Sequence, residues 1–501
     1  MSEGRVDVVT GPVRYRVTPF IALFAILLVP VAALTALVVW SDGQADEHES
    51  ALATTPDDSG EPAPPPVSAA PKMTTGLLSY RRLPNQMVAA GDDARLSEAM
   101  NELASFVDDR SCLSVSVDGR PVIGHNADVP VIPASTHKLL VAAVALEVLG
   151  PDHVFTTSVS APPAVDGVID GDLVLVGGGD PLLLADDSRT ASDSLPAFNT
   201  TSLDQLADAV VAAGVTTVNG SVLGDGGRYD DEFVIPSWGP GVAFTEAGPT
   251  DALVVNDARV VGRSGRQRDP NEAAAREFAR LLGERDVRIS RGFGAGSADP
   301  AQPILASIES QPLTAVLAEL LTTSDNDTAE MLLKELGVAD AGEGTVAAGL
   351  NVIDRTLRSA GVPMEGVRLV DASGLSSDNR LTCAALIAVL RLVEDGPIAD
   401  ALPVAGRTGT LADQFVGTPM EGRLTAKTGT LGNAPVELDP PAVKGLAGFL
   451  ETTEGGIIEF AMILNGPDIA NPDKFAPYWG AFAERLATYP NGPDPTTVGP
   501  R

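Results

Sequence analysis

STHK at residues 135–138, followed in order by SDN at 324–326 and KTG at 427–429, is the set of strings that predicts the fold of this chain. The serine-to-lysine spacing at a helix start places Ser135 and Lys138 on one face of that helix. A serine hydroxyl is a weak nucleophile until a nearby base removes its proton. The strings together therefore predict an acyl-transfer site with a nucleophile, a base and a positively charged clamp.

Lysine is rare in this sequence, which strengthens the prediction. The chain has 34 lysines and arginines, only six of them lysines, and two of those six lie inside the strings, at Lys138 and Lys427. A buried lysine can lose its proton, whereas arginine stays protonated. We therefore predict that Lys138 is the base, with its pKa lowered by burial and by the neighbouring cation Lys427. The alternative is that both are ordinary surface lysines.

Two other strings imitate these motifs, since SDN recurs at 377–379 and RTGT stands at 407–410. The copy at 324–326 opens an apolar-periodic helix, whereas the later copy follows a turn rich in glycine and serine. A helix start offers a rigid mount for a catalytic hydroxyl, so we predict that Ser324 and Asn326 belong to the site. The clamp is assigned to KTG because only that string carries an ammonium group.

The chain resembles the penicillin-binding protein 4 type of D-alanyl-D-alanine carboxypeptidase/endopeptidase over about residues 85–488. This resemblance rests on the three motifs and on the long interval between the first and second motifs, which is much shorter in simple β-lactamases. It implies an α/β fold in which a serine β-lactamase/DD-peptidase-like domain, an antiparallel sheet with helices, is interrupted by a β-rich inserted domain. Four more stretches match in character: 175–181, 371–376, 409–411 and 426–431.

The resemblance also implies a role for each motif residue in an acyl-serine mechanism. Ser135 is the expected nucleophile, and Ser324 is expected to relay a proton to the departing D-alanine amine. Asn326 would hold Lys138 and the substrate amide. The substrate's terminal carboxylate would be received by Lys427, Thr428 and Thr430. The expected catalytic set is Ser135, Lys138, Ser324, Asn326 and Lys427.

Two groups of residues are expected to bind substrate. Thr428, Gly429 and Thr430 belong to the clamp, and by resemblance the backbone N–H of Thr430 faces that of the nucleophile across an oxyanion hole. The family often recognises the free amino end of diaminopimelate through an acid in the inserted domain, and Asp225 and Asp230 are the candidates here. An ordinary solvated turn is the alternative explanation for either acid.

Composition excludes some classes of partner and leaves one covalent link open. The net charge of −33 and the pI of about 4.3 argue against nucleic acid, whose phosphates would be repelled. The four histidines show no metal-ligand spacing, so no metal or other cofactor is expected. Cys112 and Cys383 either form one disulfide in an exported protein or remain two buried thiols.

The N-terminal region predicts attachment to a membrane. The nearly uninterrupted apolar run from Pro19 to Trp40 is long enough to span a bilayer, and Arg14 and Arg16 precede it. A signal anchor is preferred to a cleaved signal, and the catalytic domain is expected on the extracytoplasmic side. The predicted segments are a cytoplasmic N-terminus at 1–18, the anchor at 19–40, a Pro-rich acidic linker at 41–84, the catalytic domain at 85–153 and 309–488, the inserted domain at 154–308, and a tail at 489–501.

Hydrophobic periodicity also predicts local elements. The predicted helices are 92–108, 139–149, 204–213, 271–282, 312–321, 328–336, 346–359, 381–393 and 476–488. The predicted strands are 112–117, 122–125, 168–176, 215–223, 423–428, 444–450 and 457–464.

These features lead to a functional expectation, a membrane-tethered serine D-alanyl-D-alanine carboxypeptidase acting on peptidoglycan stem peptides. Cleavage of crosslinks between D-Ala and diaminopimelate fits the same resemblance, and β-lactam antibiotics are expected to acylate Ser135. One alternative is a serine β-lactamase, in which water rapidly releases the acyl group. The other is a wall-binding protein that has lost its activity.

Overall fold

The computed structural model describes residues 85–188, 195–239, 241–433, 440–453 and 456–490. The predicted N-terminal segment, anchor and linker lie outside these residues, as does most of the predicted tail. Within the described ranges, none of the helices combines the length and the apolar character that a membrane span requires.

The helices are numbered here along the described chain, and short 3₁₀ turns are left unnumbered. They are α1 (Asn85–Ala104), α2 (Lys138–Leu149), α3 (Leu203–Ala212), α4 (Pro270–Glu284), α5 (Leu313–Thr323), α6 (Asn326–Ala341), α7 (Val346–Ser359), α8 (Cys383–Leu392), α9 (Pro397–Asp400) and α10 (Pro472–Leu486).

The strands fall into two groups along the chain. They are β1 (Cys112–Val117), β2 (Arg120–His125), β3 (Thr156–Ser160), β4 (Val168–Ile169), β5 (Leu173–Val176), β6 (Leu183–Leu184), β7 (Thr201–Ser202), β8 (Thr217–Val218), β9 (Val222–Asp225), β10 (Arg288–Ile289), β11 (Phe293–Ala295), β12 (Ile304–Glu309), β13 (Leu424–Leu431), β14 (Ala442–Glu451) and β15 (Ile457–Gly466).

The larger antiparallel sheet joins the two ends of the described chain. Its strand order is β13-β14-β15-β1-β2, so the N-terminal hairpin pairs with a strand more than three hundred residues later. Every residue of β1 is buried, as expected for a strand with helices on both faces. One face packs against α2 and α5–α8, and the other packs against α1 and α10. The KTG string lies on β13, at the edge of this sheet.

The strands from β3 to β12 form sheets of their own. A mixed sheet has the order β11-β9-β5-β3-β12, and a parallel sheet has the order β10-β8-β4. Residues of α3 and α4 close an apolar cluster with these strands that is separate from the clusters around the larger sheet. The predicted bounds of the inserted domain stay a prediction, but these sheets draw strands only from Thr156 to Glu309.

Two strands predicted as continuous, 168–176 and 215–223, are each broken in the structure. The first divides into β4 and β5, and the second into β8 and β9, with each half in a different sheet. The breaks fall at Gly171 and Gly220, where a Cβ on Gly220 would overlap the backbone of Gly171. The two segments run parallel to each other through both breaks and lie too close at Gly220 to leave room for a side chain. Hydrophobicity alone did not show this close approach.

Cys112 and Cys383 form a disulfide, which resolves the alternative left open by the sequence. Cys112 is the first residue of β1, Cys383 is the first residue of α8, and their Cα atoms lie 6.0 Å apart. The bond fixes α8 to an interior strand of the larger sheet.

Candidate active site

Ser135 lies in a 3₁₀ turn that begins at Ala134 and leads directly into α2. Ala134 has a φ of 48°, an uncommon conformation for a residue with a side chain. Two glycines let neighbouring segments approach this turn. A Cβ on Gly374 would overlap the carbonyl of Ala134, and one on Gly429 would come within 2.9 Å of the oxygen of Pro133. The turn is therefore clamped on both sides, which fixes the position of the serine.

Lys138 lies one helical turn after the serine and is fully buried. Its Nζ donates to Ser135 Oγ at 2.9 Å, to Asn326 Oδ1 at 2.7 Å and to the carbonyl oxygen of Ser373 at 2.8 Å. An ammonium has three N–H donors, so these acceptors satisfy all of them. The arrangement brings the predicted nucleophile and the predicted base into direct contact.

Burial lowers the pKa of Lys138 to about 8, and the carboxylates of Asp325 and Glu330 act in the opposite direction. A neutral amine can therefore form near neutral pH, which a base requires. The predicted contribution of Lys427 to this lowering is not found, because burial is the cause that lowers the pKa of Lys138 and the neighbouring charges that act on it raise it. The pKa of Lys427 is itself lowered well below its ordinary value, by burial first and then by Lys138 and Lys444.

Ser324 and Asn326 lie where two helices meet. Ser324 ends α5 in a left-handed conformation with φ 67°, whereas Asn326 is the first residue of α6. Asp325 caps α6, accepting a hydrogen bond from the N–H of Thr328 at 2.6 Å. The string was predicted to open a helix, but Ser324 ends α5 and only Asn326 lies in α6. The Nδ2 of Asn326 donates to the backbone carbonyl oxygen of Glu246 at 2.9 Å. This bond directs the Oδ1 of Asn326 towards Lys138.

Lys427 connects the KTG string to the SDN string. Its buried Nζ donates to Ser324 Oγ at 2.7 Å and to the carbonyl oxygen of Thr428 at 2.9 Å. The site thus contains two hydrogen-bonded pairs, Ser135 with Lys138 and Ser324 with Lys427. Asn326 links the two pairs, because it closely follows Ser324 in the chain and its Oδ1 accepts a hydrogen bond from Lys138.

A loop at 371–376 completes the surroundings of the base. Glu330 Oε1 accepts hydrogen bonds from the N–H groups of Ala372 at 3.0 Å and Ser373 at 2.7 Å. The same Ser373 presents its carbonyl to Lys138. Burial raises the pKa of Glu330 to about 8. Glu330 and Ser373 were not predicted as site residues, although the stretch 371–376 had been noted as matching the family.

Of the residues after the clamp lysine on the edge strand β13, Thr428 and Gly429 are buried and Thr430 is exposed. Thr428 Oγ1 is 2.8 Å from Thr410 Oγ1, so the string that imitates KTG supports the clamp rather than replacing it. Thr430 is exposed, and its Oγ1 accepts a hydrogen bond of 3.0 Å from Lys444 Nζ. Thr410 and Lys444 were also missed. The cross-strand position of Lys444 beside Thr430 could not be inferred until the sheet register was known.

Comparison with known proteins identifies the family of the chain. A model of the D-Ala-D-Ala carboxypeptidase 3 (S13) family matches residues 112–263 and 250–478. The chain belongs to the S13 family. A carboxypeptidase DacB of Mycolicibacterium smegmatis is 30% identical over 475 residues, covering 91% of this chain and 94% of the relative. A D-alanyl-D-alanine carboxypeptidase of Actinomadura sp. (strain R39) is 30% identical over 516 residues, covering 84% and 90% of the two chains.

A solved structure supports the fold of this S13 protein. Penicillin-binding protein 4 from Haemophilus influenzae matches with a TM-score of 0.65 at 18% identity, covering 78% of this chain and 99% of the other. At this identity the match shows the fold alone. The predicted fold class, an α/β protein whose antiparallel sheet with helices is interrupted by a β-rich insertion, is confirmed, as is the resemblance inferred from the motifs.

The second SDN string of this S13 protein has a different position. Asn379 is buried, and its Nδ2 donates to Asp371 Oδ1 at 2.7 Å while its Oδ1 accepts from the N–H of Val370 at 2.8 Å. These bonds hold the ends of the loop that contains Ser373. Asn326, rather than Asn379, contacts Lys138.

Asp225 and Asp230, the candidates for diaminopimelate recognition, both contact other parts of the protein. Asp225 accepts hydrogen bonds from the N–H groups of Gly227 at 2.9 Å and Ala298 at 2.7 Å. Asp230 forms an ion pair of 2.7 Å with the buried Lys334. These contacts supply a structural reason for both acids, and their role in substrate recognition stays a prediction. In the described ranges, no cluster of His, Cys, Asp and Glu is arranged to hold a metal ion.

Proposed function

We propose that this chain is a penicillin-sensitive serine D-alanyl-D-alanine carboxypeptidase that removes the terminal D-alanine from peptidoglycan stem peptides. The observation that carries the proposal is the 2.9 Å contact between the buried Lys138 Nζ and Ser135 Oγ. Membership of the S13 family supports the substrate class, because an Actinomadura relative is a D-alanyl-D-alanine carboxypeptidase. Crosslinks in which D-alanine acylates diaminopimelate present a similar bond, so we include them as a second substrate.

Acylation begins with proton transfer within the first pair. Neutral Lys138 accepts the proton of Ser135 Oγ as this oxygen attacks the carbonyl carbon of the penultimate D-alanine. The backbone N–H groups of Ser135 and Thr430 are assigned to the resulting oxyanion by resemblance to the family. The peptide C–N bond then breaks, leaving an ester between the peptide and Ser135.

The second pair serves the leaving group. Ser324 gives its hydroxyl proton to the departing D-alanine nitrogen and takes one from Lys427, to which it is hydrogen-bonded. Water then attacks the ester, and the proton held by Lys138 returns to Ser135 Oγ. A proton from that water restores Lys427, so the cycle ends with every group in its starting state.

We also propose that the enzyme is anchored in the membrane and acts outside the cytoplasm. The apolar run at 19–40 and the preceding arginines support the anchor. The disulfide between Cys112 and Cys383 supports an oxidising compartment, because such bonds are rare in the cytosol. The acidic linker at 41–84 would let the catalytic part reach the wall.

The test is release of D-alanine from a stem pentapeptide ending in D-Ala-D-Ala, using the full chain in detergent and its Ser135→Ala variant. We expect release by the wild type and none above background by the variant. Equal release by both would contradict the assignment of Ser135.

The lifetime of the adduct with benzylpenicillin separates this function from its closest alternative. A carboxypeptidase should hold the penicilloyl group for many minutes, since its site does not promote attack by water on that ester. Complete release within seconds would instead support a β-lactamase.

A further inference from the structure

Lys444 is a cation at the edge of the site that the mechanism above does not use. In the register of the larger sheet it lies directly opposite Thr430, and its Nζ donates to Thr430 Oγ1 at 3.0 Å. The same nitrogen lies over two aromatic rings of α10, 4.2 Å from the ring centroid of Phe475 and 4.9 Å from that of Trp479. The two rings restrict the side chain to a position beside the exposed hydroxyl of Thr430.

In the part of the chain that the structure describes, the charge of Lys444 has no carboxylate partner. Among the described residues, no carboxylate forms an ion pair with Lys444 or with Lys427. Burial lowers the pKa of Lys444 to about 8. Removing a cation from water without an opposite charge is unfavourable, and an anionic ligand would relieve that cost.

Lys427 is less suited to bind an anion at this edge. Its Nζ is fully buried and already donates to Ser324 Oγ and to the carbonyl oxygen of Thr428. Its pKa is lowered well below its ordinary value by burial first and then by the charges of Lys138 and Lys444. The two lysines thus differ in surroundings, with Lys427 facing the proton relay and Lys444 facing the exposed threonine.

We infer that Lys444 determines specificity for a free C-terminal carboxylate, which it binds together with the hydroxyl of Thr430. This inference rests on the proposed carboxypeptidase function and assigns Lys427 mainly to the leaving-group proton. Substrates that lack the terminal carboxylate gain nothing from Lys444.

The test compares the wild type with Lys444→Met, Lys444→Arg and Lys474→Met, each as the full chain. Methionine preserves the apolar contact with the two rings, and arginine preserves the charge. Lys474 is an exposed lysine on α10, so its loss controls for a general change in charge. The substrates are a stem pentapeptide ending in D-Ala-D-Ala and the same peptide with a C-terminal amide. Benzylpenicillin and its methyl ester provide a matched pair for acylation alone.

We expect Lys444→Met to lower kcat/KM for the free-acid peptide about 10- to 100-fold, mainly through KM, as for loss of a hydrogen bond to a charged group. Its activity on the amide, and acylation by the methyl ester, should stay within about twofold of the wild type. Lys444→Arg should recover most of the loss, and Lys474→Met should behave as the wild type.

Equal losses on acid and neutral ligands would show that Lys444 only maintains the structure and would overturn the inference. No loss on the free acid would overturn it as well. A wild type that forms no penicilloyl adduct and releases no D-alanine would instead contradict the proposed function itself.

Discussion

The ammonium of Lys138 lies 2.8 Å from the carbonyl oxygen of Ser373, although the two residues are 235 positions apart. This backbone oxygen is the third acceptor around the lysine, beside Ser135 Oγ and Asn326 Oδ1. Glu330 holds the N–H of the same Ser373 at 2.7 Å. Lys138 is therefore positioned by a loop that contributes its main chain.

Glu330 is expected to act as a positioning residue. Glu330→Ala leaves the N–H groups of Ala372 and Ser373 without their acceptor, and each unsatisfied buried donor costs about 1–3 kcal/mol. Penicillin acylation of the folded variant should slow because the carbonyl that holds Lys138 moves. Glu330→Gln keeps one acceptor oxygen and should be affected less. Thermal unfolding and acylation rates check this, and an alanine variant as active and stable as the wild type would refute it.

Lys138→Arg should abolish acylation. Arginine keeps the positive charge and can still donate hydrogen bonds, but it stays protonated and cannot take the proton of Ser135. The measurement is the rate of benzylpenicillin adduct formation. A rate close to that of the wild type would show that another group is the base.

The rate of acylation should depend on pH through Lys138. Its pKa is lowered to about 8, so the neutral fraction rises as pH increases and is nearly complete above that value. Acylation should therefore accelerate about tenfold per pH unit between pH 6 and 7 and level off above the pKa. Measuring the rate of benzylpenicillin adduct formation at each pH in this range gives the dependence of acylation on pH. A flat profile would be incompatible with a neutral lysine as the base.

The two SDN strings provide a matched pair of variants. Ser324→Ala should reduce D-alanine release by about 10² to 10⁴, as for loss of general acid catalysis, because the leaving nitrogen loses its proton donor. Ser377→Ala should change release little, since in the second string it is Asn379 that holds the loop. If the two losses were equally deep, the assignment of the relay to Ser324 would be wrong.

The disulfide should contribute to stability rather than to chemistry. It joins residues separated by 271 positions, and crosslinks of long loops typically stabilise proteins by about 2–4 kcal/mol. A variant with Cys112→Ala and Cys383→Ala should unfold at lower urea concentration yet label with penicillin at the normal rate while folded. An unchanged unfolding midpoint would contradict this expectation.

The sequence predicted the meeting of the motifs because each carries a side chain whose chemistry is specific to the reaction. Lys138 and Lys427 stood out as two of few lysines, and both lie in the site. Ser373 acts through a backbone carbonyl, which any residue possesses, so no sequence pattern could have indicated it. Lys444 depends on the strand register, which is decided by pairing across the sheet.

The fold was predicted less completely than the motifs. Long periodic helices such as α6 and α7 were anticipated, because their apolar residues recur at helical spacing. The breaks at Gly171 and Gly220 were not predicted, since the close approach of two parallel segments has no hydrophobic signal. The disulfide stayed open because the sequence does not show whether its two cysteines lie close together.

The most direct test of the account is mass-spectrometric mapping of the benzylpenicillin adduct after proteolysis of the full chain. The account predicts one penicilloyl group, located on Ser135, and its loss in both Ser135→Ala and Lys138→Arg. A penicilloyl group on another residue, or undiminished labelling of Ser135 in the Lys138→Arg variant, would contradict it.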